Sequence, residues 1–81
     1  MPQLTLYYIP GCSYCHKVLR FLKEKGITIP LKDRNASDRN YEELIRVGGK
    51  PQVPCLIIDD KVLYESDDII QWFKENPQWQ T

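Results

Sequence analysis

A six-residue run, Leu4-Thr5-Leu6-Tyr7-Tyr8-Ile9, stops at Pro10-Gly11 and gives way at once to Cys12-Ser13-Tyr14-Cys15. A short aliphatic, aromatic and β-branched run bounded by a turn dipeptide reads as a buried strand. Beyond it Cys15, Val18, Leu19 and Leu22 recur at helical spacing, with Arg20, Lys23, Glu24 and Lys25 turned outward. Gly26 supplies a stop, so a helix is predicted over about 13–25. Ile27, Ile29 and Leu31 then alternate with Thr28, Pro30 and Lys32, which predicts a second strand. Pro30 has no N–H for a ladder, so that strand belongs at a sheet edge. Strand, helix and strand in about 30 residues make a βαβ unit with a right-handed crossover.

The second half continues in short pieces. Tyr41, Leu44, Ile45 and Gly48 mark one face of a helix that begins near Ser37 to Asn40 and ends at Gly48-Gly49-Lys50-Pro51. Val53-Pro54-Cys55-Leu56-Ile57-Ile58 reads as a strand, Asp59-Asp60 as a tight turn and Lys61-Val62-Leu63-Tyr64 as the return strand of a hairpin. Ser66 is placed to cap a last helix, Asp67 and Asp68 suit its positive end, and Ile69, Trp72 and Phe73 form its apolar stripe up to Asn76-Pro77. The order is β-α-β-α-β-β-α: an α/β domain with a four-stranded mixed sheet and three helices.

With 81 residues the chain has room for one domain, 1–81. Eleven Lys and Arg balance eleven Asp and Glu, which argues against a general nucleic-acid binder. No apolar run exceeds four residues, too few for a membrane span, and the start shows no secretory signal. Three cysteines, two of them as C-x-x-C, do not resemble a secreted disulfide framework and point to a reducing cytoplasm.

Cys12 follows the turn at the mouth of the first helix, where unpaired N–H groups and the positive dipole end favour an anion, here a thiolate. A free thiol of pKa about 8.5 is only about 3% ionised at pH 7, whereas helix N-termini and C-x-x-C settings bring it to about 3.5–7.5. Cys15, one turn deeper, can close a disulfide yet is better shielded. Cys12 is therefore expected to attack and Cys15 to resolve. Other readings of the same sulfurs are a zinc site completed by His16 and Cys55, an inert pair, and an iron–sulfur cluster shared by Cys12 of two chains. No metal is expected, with the cluster left open. His16 is expected to face solvent, and Cys55 to be a small buried hydrophobe whose place after Pro54 brings it toward the active thiols.

Tyr8-Ile9-Pro10-Gly11-Cys12-Ser13-Tyr14-Cys15, then Gln52-Val53-Pro54, then Tyr64-Glu65-Ser66-Asp67 resemble, in this order and spacing, a small glutaredoxin of the thioredoxin-fold superfamily. The stretch from Gln52 to Ile58 with Tyr64-Glu65-Ser66 also resembles the N-terminal domain of glutathione transferases. The resemblance implies a cis Val53–Pro54 bond that turns the Val53 backbone toward the cysteine part of glutathione, as an edge strand would receive it. It implies that N–H groups at Ser66 and Asp67 hold the γ-glutamyl carboxylate, and that the Asp67 side chain pairs with the α-amine. Tyr14 would lie along the tripeptide. Many members have a lysine where this chain has Ile9, so Lys50 becomes the candidate cation for the glycine carboxylate, with Arg46 or Lys17 as substitutes. Ser13 stands where the usual motif has proline, which leaves the dithiol geometry intact and puts the potential of the pair in question.

The implied activity is glutathione-dependent thiol–disulfide exchange on protein disulfides and glutathionylated proteins by a monomer. The alternatives are a donor served by thioredoxin reductase, a stand-alone transferase-like domain and an iron–sulfur glutaredoxin.

Overall fold

The computed structural model describes residues 2–80. Strand β1 (Leu4–Tyr8) leads into helix α1 (Ser13–Glu24), then strand β2 (Leu31–Asp33) and helix α2 (Asp38–Gly48). The hairpin of β3 (Cys55–Ile58) and β4 (Lys61–Leu63) follows, then helix α3 (Ser66–Glu75) and one 3-10 turn, Pro77–Trp79. The sheet order is β2-β1-β3-β4, with β1 parallel to β2 and antiparallel to β3. This is the four-stranded mixed sheet with three helices expected from the sequence.

The strands' two-residue period divides the core. Leu4 and Leu6 of β1 with Leu56 and Ile58 of β3 face helices α1 and α3, where Val18, Leu22, Ile69 and Phe73 complete one buried layer. Tyr7 and Cys55 point to the opposite face and meet Leu44 of α2. The register sets Tyr7 opposite Cys55. The end of β1 that runs on to Cys12 therefore lies beside the segment that enters β3 through Pro54.

Local chemistry fixes the helix ends. Ser37 Oγ accepts the Asn40 N–H at 3.1 Å to start α2, and Gly49 ends it at φ 90°, a left-handed conformation that glycine adopts without steric cost. Gly26, at φ 66°, follows α1 in the same way.

Three expectations are corrected. The alternation of Ile27, Ile29 and Leu31 records burial more than pairing: Ile27 and Ile29 are buried, but the ladder begins only at Leu31, itself 47% exposed. Pro30 offers no N–H, and its carbonyl instead accepts Leu6 N–H at 3.0 Å. On α2 only Leu44 is buried, with Tyr41 and Ile45 left largely exposed. Ser66 is not the N-cap of α3: Glu65 takes that position in extended geometry, and Ser66 is the first helical residue and buried.

Two contacts across the α2 face can be tested. A Cβ on Gly48 would stand 2.7 Å from Tyr64 Oη, the group that donates to the Gly48 carbonyl. Gly48→Ala is expected to cost about 1–3 kcal/mol in chemical denaturation. Gly11→Ala, with nothing within 4 Å of the new methyl, should stay within about 0.5 kcal/mol. Glu43 accepts from Lys32 Nζ and from Tyr7 Oη, and these bonds, Lys32's first, lower its carboxyl pKa. A lowered folded value adds stability above the unfolded pKa of about 4.3 and loses it as pH falls through the folded one. The stability margin of the native chain over Glu43→Gln should thus be present at pH 7 and shrink as urea denaturation is repeated toward pH 3.

Candidate active site

Cys12 occupies the N-cap of α1 with φ −100° and ψ 120°, the extended geometry of a capping residue. Its sulfur does what a serine oxygen does elsewhere: it accepts the Cys15 backbone N–H at 3.2 Å. The Cys12 carbonyl accepts the His16 N–H at 2.9 Å, the first bond of the helix. Cys12 is half-buried, whereas Cys15 and Cys55 are fully buried, and all three are free thiols.

Burial dominates the chemistry of the two inner sulfurs. It pushes the Cys15 thiol up to about 12, aided by a hydrogen bond to Cys12 and opposed by the Ile9 backbone and the Arg34 charge. Burial likewise raises Cys55 to about 11, against the opposing effects of the Tyr64 hydroxyl and the Lys50 charge. Cys15 is therefore protonated at neutral pH, held so chiefly by its burial. Cys55 packs with Tyr7 and Leu44 on the α2 face, beside Tyr64, in a cluster that contains neither Cys12 nor Cys15. Its neighbour Pro54 does turn toward the site, while the strand's alternation sends Cys55 the other way.

A cleft of about 370 Å³ opens next to Tyr14, two residues beyond Cys12. Val53 and Pro54 form one wall, joined by a cis peptide bond as expected. Ser66 and Asp67 form another at the start of α3, where the first N–H groups of a helix lack intrahelical acceptors. Five of the expected binding residues thus line one space. Lys50 stands one step behind, its Nζ 4.5 Å from the centroid of Tyr64, which lines the cleft itself. Asp67 is paired with Lys17 across the α1–α3 contact, both side chains more than half exposed. Such an exposed pair is weak and exchangeable. Arg46 is exposed on α2.

Several residues of the site are given no role by the sequence motifs. Gln52, Tyr64 and Glu65 also border the cleft. Arg34 is the larger omission. Its backbone N–H donates to Tyr8 O at 2.8 Å, and its Nη1 donates to Pro51 O at 2.9 Å. It thereby ties the end of β1 to the loop that presents Val53, and its charge reaches Cys15. Nothing local in the sequence signals this, since Arg34 and Pro51 are brought together only by the sheet. His16 is exposed as expected, and its Nε2–H donates to Pro10 O. Among the described residues no three His, Cys, Asp or Glu side chains are grouped to hold a metal ion, so Cys12, Cys15, His16 and Cys55 do not converge as the zinc reading requires. No helix among them is long and apolar enough to cross a membrane.

Residues 6–79 match the family model of the glutathione S-transferase N-terminal domain. Glutaredoxin 3 of Escherichia coli strain K12 is 33% identical over 72 residues, which cover 85% of this chain and 83% of that protein. A stringent starvation protein A homolog of Coxiella burnetii is 35% identical over 72 residues, covering 89% of this chain and 34% of the relative. Glutathione transferase Omega 3C of Trametes versicolor superposes with a TM-score of 0.80 at 27% identity, over 98% of this chain and 35% of that one. The chain thus spans about a third of the length of the last two proteins and most of the length of the glutaredoxin. Together with the sheet order and the position of the C-x-x-C, these likenesses place the chain in the family of glutathione S-transferase N-terminal and glutaredoxin domains, with a thioredoxin-like fold.

Proposed function

We propose that the chain is a glutathione-dependent thiol–disulfide oxidoreductase acting through Cys12. The observation that carries this reading is the sulfur of Cys12 at the N-cap of α1, accepting an amide N–H and half-open to solvent, with a buried thiol three residues on. The 370 Å³ cleft that opens at Tyr14 has the polar groups that a zwitterionic tripeptide needs. Val53 offers its backbone to the cysteine moiety, the start of α3 offers N–H groups to the γ-glutamyl carboxylate, and Asp67 offers its carboxylate to the amine once it parts from Lys17. Lys50 serves the glycine carboxylate, and Tyr14 flanks the tripeptide.

With a glutathionylated protein, the Cys12 thiolate attacks the glutathione sulfur. The S–S bond breaks, the protein thiolate leaves and takes a proton, and Cys12 holds glutathione as a mixed disulfide. A second glutathione thiolate attacks that disulfide, releases glutathione disulfide and restores Cys12. With a protein disulfide, Cys12 forms the mixed disulfide with one protein sulfur and the other leaves. Cys15 then loses its proton, attacks the Cys12 sulfur and expels the remaining protein thiolate. Two glutathione molecules reduce the resulting Cys12–Cys15 bond and leave as glutathione disulfide. The raised Cys15 thiol suits this order, since its burial keeps it protonated and leaves the first attack to the more exposed Cys12.

A second reading has one specific support, the match to glutathione S-transferase N-terminal domains: conjugation of glutathione to an electrophile. In the preferred reading an aryl halide is turned over barely or not at all, whereas a glutathionylated peptide is reduced readily.

Cys12→Ser should bring reduction of a glutathionylated peptide to background, and Cys15→Ser should keep that activity while losing reduction of protein disulfides. Normal turnover by Cys12→Ser would reject the assignment. Asp67→Ala should raise the KM for glutathione about ten-fold, the loss expected for one charge-assisted hydrogen bond. Iodoacetamide at pH 7 followed by peptide mass mapping should label Cys12 alone. Cys15 and Cys55, raised to about 12 and 11, should react only after denaturation.

A further inference from the structure

A second cleft opens on the other side of the Cys12 turn. It has a volume of about 550 Å³ and is lined by Gly11, Ser13, His16, Lys17 and Arg20. Gly11 and Ser13 flank Cys12 in the chain, so the cleft begins at the turn that carries the sulfur. Its remaining lining comes from α1 and includes two fixed positive charges and an imidazole, with no acidic side chain. His16, Arg20 and Lys23 follow at four- and three-residue steps, which puts them on one stripe of the helix running away from Cys12. Glu24 is the one acidic residue of α1, and Asp67 of α3 meets the stripe at its edge through Lys17.

This positive charge is local. The chain as a whole carries none, with eleven basic and eleven acidic residues. The cleft proposed for glutathione has the opposite character, with Glu65 and Asp67 in its lining. Glutathione filling that cleft leaves the α1 side as the surface still open to a protein chain next to the sulfur.

We infer that the basic cleft on α1 docks the protein part of the disulfide substrate and selects acidic segments beside the target cysteine. The inference rests on the glutathione-dependent reading above and adds the class of protein partner. A field focused in a cleft of one sign raises the encounter rate of an oppositely charged segment, and salt screens it.

Two peptides with the same disulfide, one flanked by glutamates and the other by glutamines, test this with the full chain and glutathione as reductant. At low ionic strength the acidic peptide should have a kcat/KM roughly ten-fold higher, in the range of electrostatic steering, and the gap should close in high salt. Arg20→Glu, at an exposed position outside the proposed catalytic and glutathione sites, should abolish the preference while leaving turnover of hydroxyethyl disulfide unchanged. Equal kcat/KM for the two peptides in a protein that turns over hydroxyethyl disulfide would overturn the docking inference alone, as would a preference that survives Arg20→Glu. A short single-stranded oligonucleotide that binds more tightly than the acidic peptide would also overturn it. Failure to turn over hydroxyethyl disulfide with glutathione would remove the functional reading and this inference together.

Discussion

The bond from the Cys15 amide to the Cys12 sulfur joins fold to chemistry in this chain. As an N-cap it starts α1, and α1 supplies Val18 and Leu22 to the main core layer. The same bond points a backbone donor at the atom that must carry negative charge to act as a nucleophile. In the proposed function one sulfur serves as helix cap and reaction centre, so a change that weakens the cap also alters the nucleophile. The antiparallel pairing of β1 and β3 brings the Val53–Pro54 segment alongside the end of β1 that runs on to this sulfur.

Burial separates the three thiols, which are chemically identical in the unfolded chain. Cys15 is held on the inner turn of α1 and Cys55 on the α2 face, and both are pushed toward the protonated form. Cys12 is left partly open to solvent. The division of labour in the proposed dithiol mechanism rests on this gradient of exposure along one helical turn.

Much of this was legible in the residues. The stop at Pro10-Gly11, the helical recurrence of Cys15, Val18 and Leu22, and the hairpin around Asp59-Asp60 are local signals, and each element formed where its signal lay. The errors came where a local pattern competed with tertiary placement. Alternation over 27–31 predicts a ladder, but Pro30 lacks a donor and the paired strand begins only at Leu31. Ser66 has a good capping side chain, yet Glu65 takes the cap and Ser66 lies buried within the first turn. The site showed the same division. Motif residues Tyr14, Val53, Pro54, Ser66 and Asp67 line one cleft, whereas the bond by which Arg34 holds Pro51, 17 residues on, is one that no spacing rule reveals.

Trapping the first covalent species tests the role of Cys12 most directly. Cys15→Ser protein incubated with a slight excess of glutathione disulfide should gain one glutathione, and peptide mapping should place it on Cys12. An adduct on Cys55, or none on a folded protein, would contradict the assignment of Cys12 as the attacking sulfur.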